Sequence, residues 1–429
     1  MASPRYVSLD VLRGIAILGT LGTNIWIYTT PDGLIGYLQG DAAAPGAWRP
    51  VEVVLQQLTQ GKFLGLLTVM FGIGLALQQR SALRAGLRWP GGYPWRAALL
   101  LLDGVVHFVL MTEFDILMGY AVTGWVVSYL LVTGERTQRR IIALAAGVHL
   151  ALLTALAGAL LALGGGEPAE PIGLSPNPYA EGSWWDLVLF RLDNALLFRA
   201  ETILIFPMSV ALFMLGAQLY RAGVLDTRGR PLRRRLMWLG FGAALPIDFI
   251  LEVCGGMPGL LVSRYVTAPV VALALLAVVA EFCLRRAGRP GPGPVGRSLA
   301  AVGRTALSCY ILQNLVASAI CYGWGLGVAA AVPPQHRVPA TIAVYLVVTA
   351  IMIAFAHLWL RRFDRGPVEW LWNAGYRALA VDTPDSRTGR SARSPLLTTV
   401  LPKERPPERS PHDHSRDPGP GARRHAADR

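Results

Sequence analysis

The sequence predicts an all-α fold: a polytopic integral-membrane bundle of about ten transmembrane helices, with both termini in the cytoplasm. Three observations carry this. The 429 residues have a mean hydropathy of +0.42 and are 53% hydrophobic and only 16% charged, too apolar for a soluble chain of this size. Apolar runs long enough to cross a bilayer recur along the chain. The basic residues between those runs alternate between crowded and sparse loops, as membrane topology requires.

Taken in order, the apolar runs place spans near 11–29, 55–78, 97–113, 115–133, 141–163, 201–220, 236–253, 265–284, 302–325 and 338–360. The first follows a short flank with Arg5 and shows no small-residue cleavage site, so it reads as a retained signal-anchor helix. The third and fourth are short and share the junction Thr112-Glu113-Phe114-Asp115, which reads as a tight helical hairpin. The crowded loops hold Arg80, Arg84, Arg88 and Arg96, then Arg136, Arg139 and Arg140, then a cluster from Arg221 to Arg235, then Arg285, Arg286, Arg289 and Arg297. The sparse ones hold Arg49, Arg191, Arg199, Arg264 and Arg337. Placing the crowded loops inside makes residues 1–380 one multi-pass membrane domain. Its 164–200 connection then lies outside. There Trp184 and Trp185 precede the amphipathic stretch Asp186–Arg199, which fits an interfacial segment. Residues 381–429 are rich in Pro, Arg, Ser and His, and read as a disordered, basic, cytoplasmic tail.

The formal charge of +13 does not point to nucleic acid, because the basic residues follow the loops and the tail. Arginine supplies 38 of the 40 basic residues, lysine appearing only at Lys62 and Lys403. With abundant Ala, Gly and Pro, that bias suggests a GC-rich genome. Cys254, Cys283, Cys309 and Cys321 lie in or beside apolar runs without metal spacing and read as small buried hydrophobes. No metal site is expected, and His412 and His414 in the tail are given no such role.

Ionisable and amide side chains inside the spans are costly, about 2.5–3.5 kcal/mol for a central charge, and mark candidate sites. Counting from Arg13, Arg96 and Arg304, residues Asn24, His107 and Asn314 sit ten or eleven positions deeper, roughly 15–16 Å in at 1.5 Å per residue. If those helices are neighbours, their polar groups line one cavity. Asp103 and His107 are four apart and share a helix face. A carboxylate that orients an imidazole suits general-base chemistry or a proton relay, the alternative being a bond that fastens helices. Ser8 or Asp10 would cap the first helix, and Arg13, three after Asp10, is either an anion clamp facing the cytoplasm or a snorkelling arginine paired with that acid. Glu113 and Asp115 at the hairpin are either solvated loop acids or face a vestibule. Asp248 and Glu252 fit packing, a water-facing role or catalysis, whereas His149 and His357 read as structural.

The ordered motifs resemble a known family. They are Leu9-Asp-Val-Leu-Arg-Gly-Ile-Ala-Ile-Leu-Gly19 with Asn24, then Lys62-Phe63 with Phe71-Gly-Ile-Gly74, and Gly104 and His107 with Asp115-Ile-Leu. Later come Gly303-Arg-Thr-Ala-Leu-Ser-Cys-Tyr-Ile-Leu-Gln-Asn314 and Gly366-Pro-Val-Glu-Trp-Leu-Trp372. Across about residues 5 to 380 the chain resembles the YeiB-like bacterial membrane proteins, which carry domain of unknown function 418. These are similar to a wider transmembrane acyltransferase group that includes heparan-α-glucosaminide N-acetyltransferase. The resemblance implies transfer of an acyl group, typically acetyl from acetyl-CoA, to an acceptor such as a sugar. Asn24 matches a family Asn that serves the transfer, but 30–50, where relatives place a His, contains none.

The expected assignment therefore makes His107, Asp103, Asn24 and Asp115 catalytic. Arg13 and Arg304 take the phosphates of acyl-CoA, which is a co-substrate rather than a bound cofactor. Gln313, Asn314 and Glu113 meet the acceptor. The partners expected are the lipid bilayer, acyl-CoA, an unidentified acceptor and, as an option, a second copy of the chain. A transporter is the alternative reading; the apolar runs show neither broken helices nor an inverted repeat, which argues against it. A scaffold whose polar groups only fasten helices is the third.

Overall fold

The computed structural model describes residues 6–39, 46–162, 173–286 and 293–380. The tail beyond 380 and the 163–172 part of the long connection lie outside the described residues. Within them the chain is an all-α polytopic bundle and holds no strand. Its helices are α1 (Val7–Tyr28), α2 (Gly33–Leu38), α3 (Arg49–Thr59), α4 (Lys62–Arg84), α5 (Tyr93–Leu110), α6 (Leu117–Leu130), α7 (Glu135–Ala162), α8 (Trp184–Asp193), α9 (Ala195–Leu204) and α10 (Phe206–Arg221). There follow α11 (Arg230–Met237), α12 (Leu245–Cys254), α13 (Gly256–Val262), α14 (Ala268–Arg285), α15 (Gly293–Arg304), α16 (Ala306–Cys321), α17 (Val328–Ala331), α18 (Arg337–Leu360) and α19 (Pro367–Ala380).

Every apolar run expected to span is helical, but length and composition qualify only seven described helices outright. An eighth is the pair α9–α10, bent by 45° where Pro207 opens α10; α6 and α16 are apolar but shorter. The expectation of unbroken spans is corrected here. The ninth run breaks at Thr305 between α15 and α16, and single π-helical turns at 238–244 and 263–267 interrupt the seventh and eighth. Apolar periodicity does not register such breaks, because each half keeps its hydrophobic face. Capping of α1 also differs: the helix starts at Val7, one turn before Asp10, and Tyr6 at its N-cap gives no side-chain bond.

Two seams of small residues set the centre of the bundle. A Cβ on Gly303 would lie 1.8 Å from the Asp10 carbonyl oxygen, and one on Gly14 would lie 2.0 Å from that of Leu299. Helices α1 and α15 therefore touch backbone to backbone, the packing that lipid-embedded helices use where no hydrophobic drive exists between them. Gly72 and Gly216 make the same contact between α4 and α10. Gly303→Ala is expected to force α1 and α15 apart and to cost about 1–3 kcal/mol or more, read as a lower melting temperature of the purified protein in detergent. An unchanged melting temperature would show that the seam is not tight.

Leu12, Leu66, Ile73, Phe213 and Ala272 are fully buried in this centre. On the rim, Leu144 of α7, Ile250 of α12 and Leu358 of α18 are 69%, 61% and 61% exposed. An exposed apolar rim around a buried apolar core is the pattern of helices facing lipid rather than water.

A second buried cluster sits where two of the breaks meet. Gly61, at φ +70°, separates α3 from α4 and lies against the Arg264 carbonyl of the 263–267 turn. Beside it the Lys62 ammonium is 2.6 Å from Asp248 of α12. The Asp248 carboxylate also accepts from Gln57 and from the hydroxyls of Ser263 and Thr267. Every hydroxyl and amine of this set is thus committed to one carboxylate.

Candidate functional site

The tight α5–α6 connection positions the central residues. His107 occupies the last turn of α5, and Asp115 lies in the six-residue link just before α6. The link folds back so that the Asp115 Oδ1 accepts from His107 Nδ1 at 2.9 Å. Its other oxygen accepts the Met118 N–H at 3.0 Å, one of the open donors of the α6 N-terminus. The carboxylate is thereby fixed between a helix end and an imidazole.

On the opposite side of the ring, Asn314 of α16 donates its Nδ2 to His107 Nε2 at 3.0 Å. The Asn314 oxygen accepts the hydroxyl of Tyr28, the last residue of α1, at 3.1 Å. These two bonds assign the neutral His107 tautomer that carries its proton on Nδ1. Tyr310, one turn before Asn314, lays its ring 4.8 Å from the imidazole. All four members of the Asp115–His107–Asn314–Tyr28 line are at most 2% exposed. The Gln313 amide, next to Asn314 in sequence, is fully buried, and neither its oxygen nor its nitrogen has a hydrogen-bond partner among the described residues. Buried amides are nearly always paired, so an unpaired one marks a place for a polar ligand or water.

A second tier closes the site from the hairpin side. Glu113, 1% exposed, is met by Arg191 at 3.4 Å and by the Tyr179 hydroxyl at 2.9 Å. Arg199 grips the hairpin backbone at the carbonyls of Glu113 and Asp115, and its guanidinium stands 4.3 Å over the Phe108 ring. Burial, reinforced by the neighbouring Glu113 carboxylate, holds the Tyr179 phenol well above the usual range, so it remains a donor. The covering helix α8 opens on a capping box in which Ser183 and Asp186 bond reciprocally. The Ser183 hydroxyl and N–H hold the Asp186 carboxyl below the usual carboxylate range. Trp184 anchors the same turn by donating to the Leu110 carbonyl at 3.0 Å.

Several expected roles fall differently. Asp103 shares a face with His107 but does not orient it; Asp115 does, and the Asp103 Oδ2 is buried without a partner. Asn24 has no side-chain hydrogen bond among the described residues, and the α1 residue that joins the line is Tyr28, one turn further on. Glu113 and Asp115 are buried rather than solvated loop acids, because Arg191, Arg199 and Tyr179 fold over them. Those three residues, with Tyr28 and Tyr310, lay beyond the sequence reading. The one available signal was the pair of arginines, Arg191 and Arg199, in an otherwise acidic connection.

Arg13 and Arg304 flank the glycine crossing of α1 and α15. Arg13 is 3.7 Å from Asp10 with its side chain 43% exposed, and Arg304 donates to the Asp364 carbonyl at 3.1 Å. Beyond the break at Thr305, Glu369 of α19 accepts the N–H groups of Leu307 and Ser308, capping the α16 helix that carries Asn314. His149 bonds the Tyr265 carbonyl at 3.2 Å and His357 that of Ile353 at 2.9 Å, both structural roles. Among the described residues no three of His, Cys, Asp and Glu gather as metal ligands.

Residues 219–378 match the family described as "Protein of unknown function (DUF418)". The chain carries a DUF418 region. That region contributes α11 to α18 and most of α19, and with them Asn314, Gln313, Arg304 and Glu369, whereas Tyr28, His107 and Asp115 precede it. Similarity to named proteins extends across both parts. The chain is 28% identical over 398 residues to "Uncharacterized protein YxaH" of Bacillus subtilis, covering 87% of this chain and 94% of that protein. It is equally 28% identical over 398 residues to "Uncharacterized protein YeiB" of Escherichia coli, covering 86% and 95%.

Proposed function

We propose that this is an acyltransferase of the bacterial plasma membrane. It moves an acyl group, acetyl by resemblance, from cytoplasmic acyl-CoA to a hydroxyl or amine of a sugar, glycolipid or secreted metabolite. The observation that carries the reading is the buried Asp115–His107–Asn314–Tyr28 line. An imidazole with Nδ1–H on a carboxylate has its Nε2 lone pair available as a general base. Here that lone pair rests on the Asn314 amide, which the acceptor's O–H or N–H would displace.

In the proposed step His107 Nε2 takes the acceptor proton as the acceptor attacks the thioester carbonyl carbon. Asp115 stabilises the imidazolium that forms. The carbon–sulfur bond then breaks, and the imidazolium returns the proton to the CoA sulfur. The Asn314 Nδ2, which meets Nε2, and the Tyr28 hydroxyl, which meets the Asn314 oxygen, are donors that suit the developing oxyanion. Asn24, whose amide is uncommitted, offers a further donor one turn away on α1. Arg13 and Arg304 suit the CoA phosphates; Arg13 lies fifteen residues before Tyr28 along α1, about 22 Å at 1.5 Å per residue.

A second reading, a proton-coupled carrier of a small solute, draws support from the broken spans and from the buried Lys62–Asp248 pair. Proteoliposomes separate the two. With acetyl-CoA as donor and a panel of sugars and amines as acceptors, the acyltransferase releases free CoA thiol in step with acylated product. Solute counterflow without any thiol release would sink the enzyme reading and favour the carrier.

A further inference from the structure

Away from the His107 line, the ends of α4 and α10 and the turn that follows α10 enclose a groove of about 510 Å³, within the size range of small-molecule sites. Arg80, Arg84, Arg221 and Arg228 line it, with Gln79 and Tyr220. The guanidiniums are held in place by neutral groups. Arg80 donates to the Tyr220 hydroxyl at 3.0 Å, and Arg221 donates to Gln138 at 2.8 Å and to Gln79 at 2.9 Å. Arg84 has no hydrogen-bond partner among the described residues. The carboxylate at the groove, Asp226, is 3.7 Å from Arg228 and also accepts the Tyr6 hydroxyl at 3.5 Å. Among the described residues only Arg228 of the four has a carboxylate within ion-pair distance, while Glu135 acts on Arg221 from further off.

The wall that carries Arg228 is built rather than loose. Gly223 takes φ +79°, and a Cβ there would lie 2.8 Å from the Arg228 Nε, so the guanidinium rests on the bare glycine. Arg233, 2% exposed, pins the turn from beneath. It donates to the carbonyls of Val224 at 3.0 Å and Asp226 at 2.7 Å while paired with Glu281 at 2.8 Å. A buried arginine committed to shaping a short turn fixes where Arg228 presents its charge. Ordinary positively charged loops need neither the concavity nor this support.

We propose that this groove is a binding site for a phosphate-bearing ligand, gripped by the Arg80, Arg84, Arg221 and Arg228 guanidiniums. Guanidinium groups bind phosphate through paired N–H donors, and four of them on one concave surface can meet its oxygens together. The phosphate can belong to the headgroup of an anionic phospholipid or to a soluble phosphorylated compound, and the chemistry of recognition is the same. The assignment does not depend on acyl transfer at His107.

The test uses the full-length protein with inorganic pyrophosphate as soluble probe, followed by isothermal titration calorimetry in neutral detergent. Phosphatidylglycerol is the lipid probe, its retention read by native mass spectrometry. The variant Arg80→Gln/Arg84→Gln is compared with Arg139→Gln/Arg140→Gln, which removes equal charge from the start of α7. The groove variant is expected to weaken binding of at least one probe by tenfold or more, with the control within twofold of wild type. Loss confined to pyrophosphate identifies a soluble ligand, and loss confined to phosphatidylglycerol identifies a lipid headgroup. Should the double variant not fold, Arg84→Gln alone carries the test, since Arg84 makes no intramolecular bond. No binding of either probe, or equal weakening by groove and control variants, would overturn the assignment.

Discussion

Asp115→Asn is expected to lower acyl transfer by about 10³–10⁴-fold, the loss seen when the acid of a comparable acid–imidazole pair becomes an amide. The cause is local. Asp115 accepts twice, from His107 Nδ1 and from the Met118 N–H. Asparagine has one oxygen for two donors. If that oxygen stays on Met118, its NH2 faces His107 Nδ1 and forces the proton to Nε2. An Nε2–H would then confront the Asn314 Nδ2, another donor. The variant therefore either loses the helix contact or breaks the line to Asn314 and Tyr28. Turnover should fall while the affinity for acyl-CoA holds, because the donor's phosphates are bound elsewhere. Wild-type turnover in a folded Asp115→Asn protein would remove Asp115 from the mechanism.

Asp248→Ala is expected to cost about 3–5 kcal/mol of stability, the usual effect of removing one partner from a buried ion pair. It would leave the Lys62 ammonium with only the Gln60 carbonyl at 3.4 Å, take the acceptor from Gln57 and Ser263, and leave the Thr267 hydroxyl with only the Ser263 carbonyl at 3.1 Å. Lys62 is one of two lysines in a chain with 38 arginines, and the only one among the described residues. The compact ammonium suits the space beside Gly61, whereas a guanidinium brings five donors in a rigid fork that this cluster would leave unmet. The double variant Lys62→Met/Asp248→Leu should recover much of the loss, since apolar replacement of a whole buried pair is often neutral. Thermal unfolding in detergent reads both effects. Equal stability of Asp248→Ala and wild type would show the pair to be solvated.

What the sequence made legible follows from periods and lengths. Apolar runs located the seven described helices that are long and apolar enough to cross a membrane, because a span needs a continuous apolar stretch whatever its neighbours do. Counting inward from Arg96 and Arg304 put His107 and Asn314 at one depth, and in the structure they touch. Helical spacing then favoured Asp103 as the partner of His107, since four residues make one face. The actual partner lies eight residues on, brought back by a turn whose geometry no periodicity encodes. Tyr28 carries no such signal, because a tyrosine at a helix end reads equally well as an interfacial anchor. Arg191, Arg199 and Tyr179 belong to a long connection, and where such a segment folds depends on tertiary contacts rather than on its own pattern. The break at Thr305 is hidden because Arg304 and Thr305 sit in an otherwise regular apolar stretch, while the acid that caps the second half comes from Glu369, far along the chain.

The central claim is that the buried imidazole of His107 carries out acyl transfer. Purified wild-type and His107→Gln proteins, reconstituted at equal density and matched in melting temperature, can be given carbon-14-labelled acetyl-CoA with the acceptor panel. The account predicts labelled product and stoichiometric CoA thiol with wild type, and at least about a 10²-fold slower release with the variant, the low end for losing a general base. Equal rates of thiol release and product formation by the two proteins would contradict it.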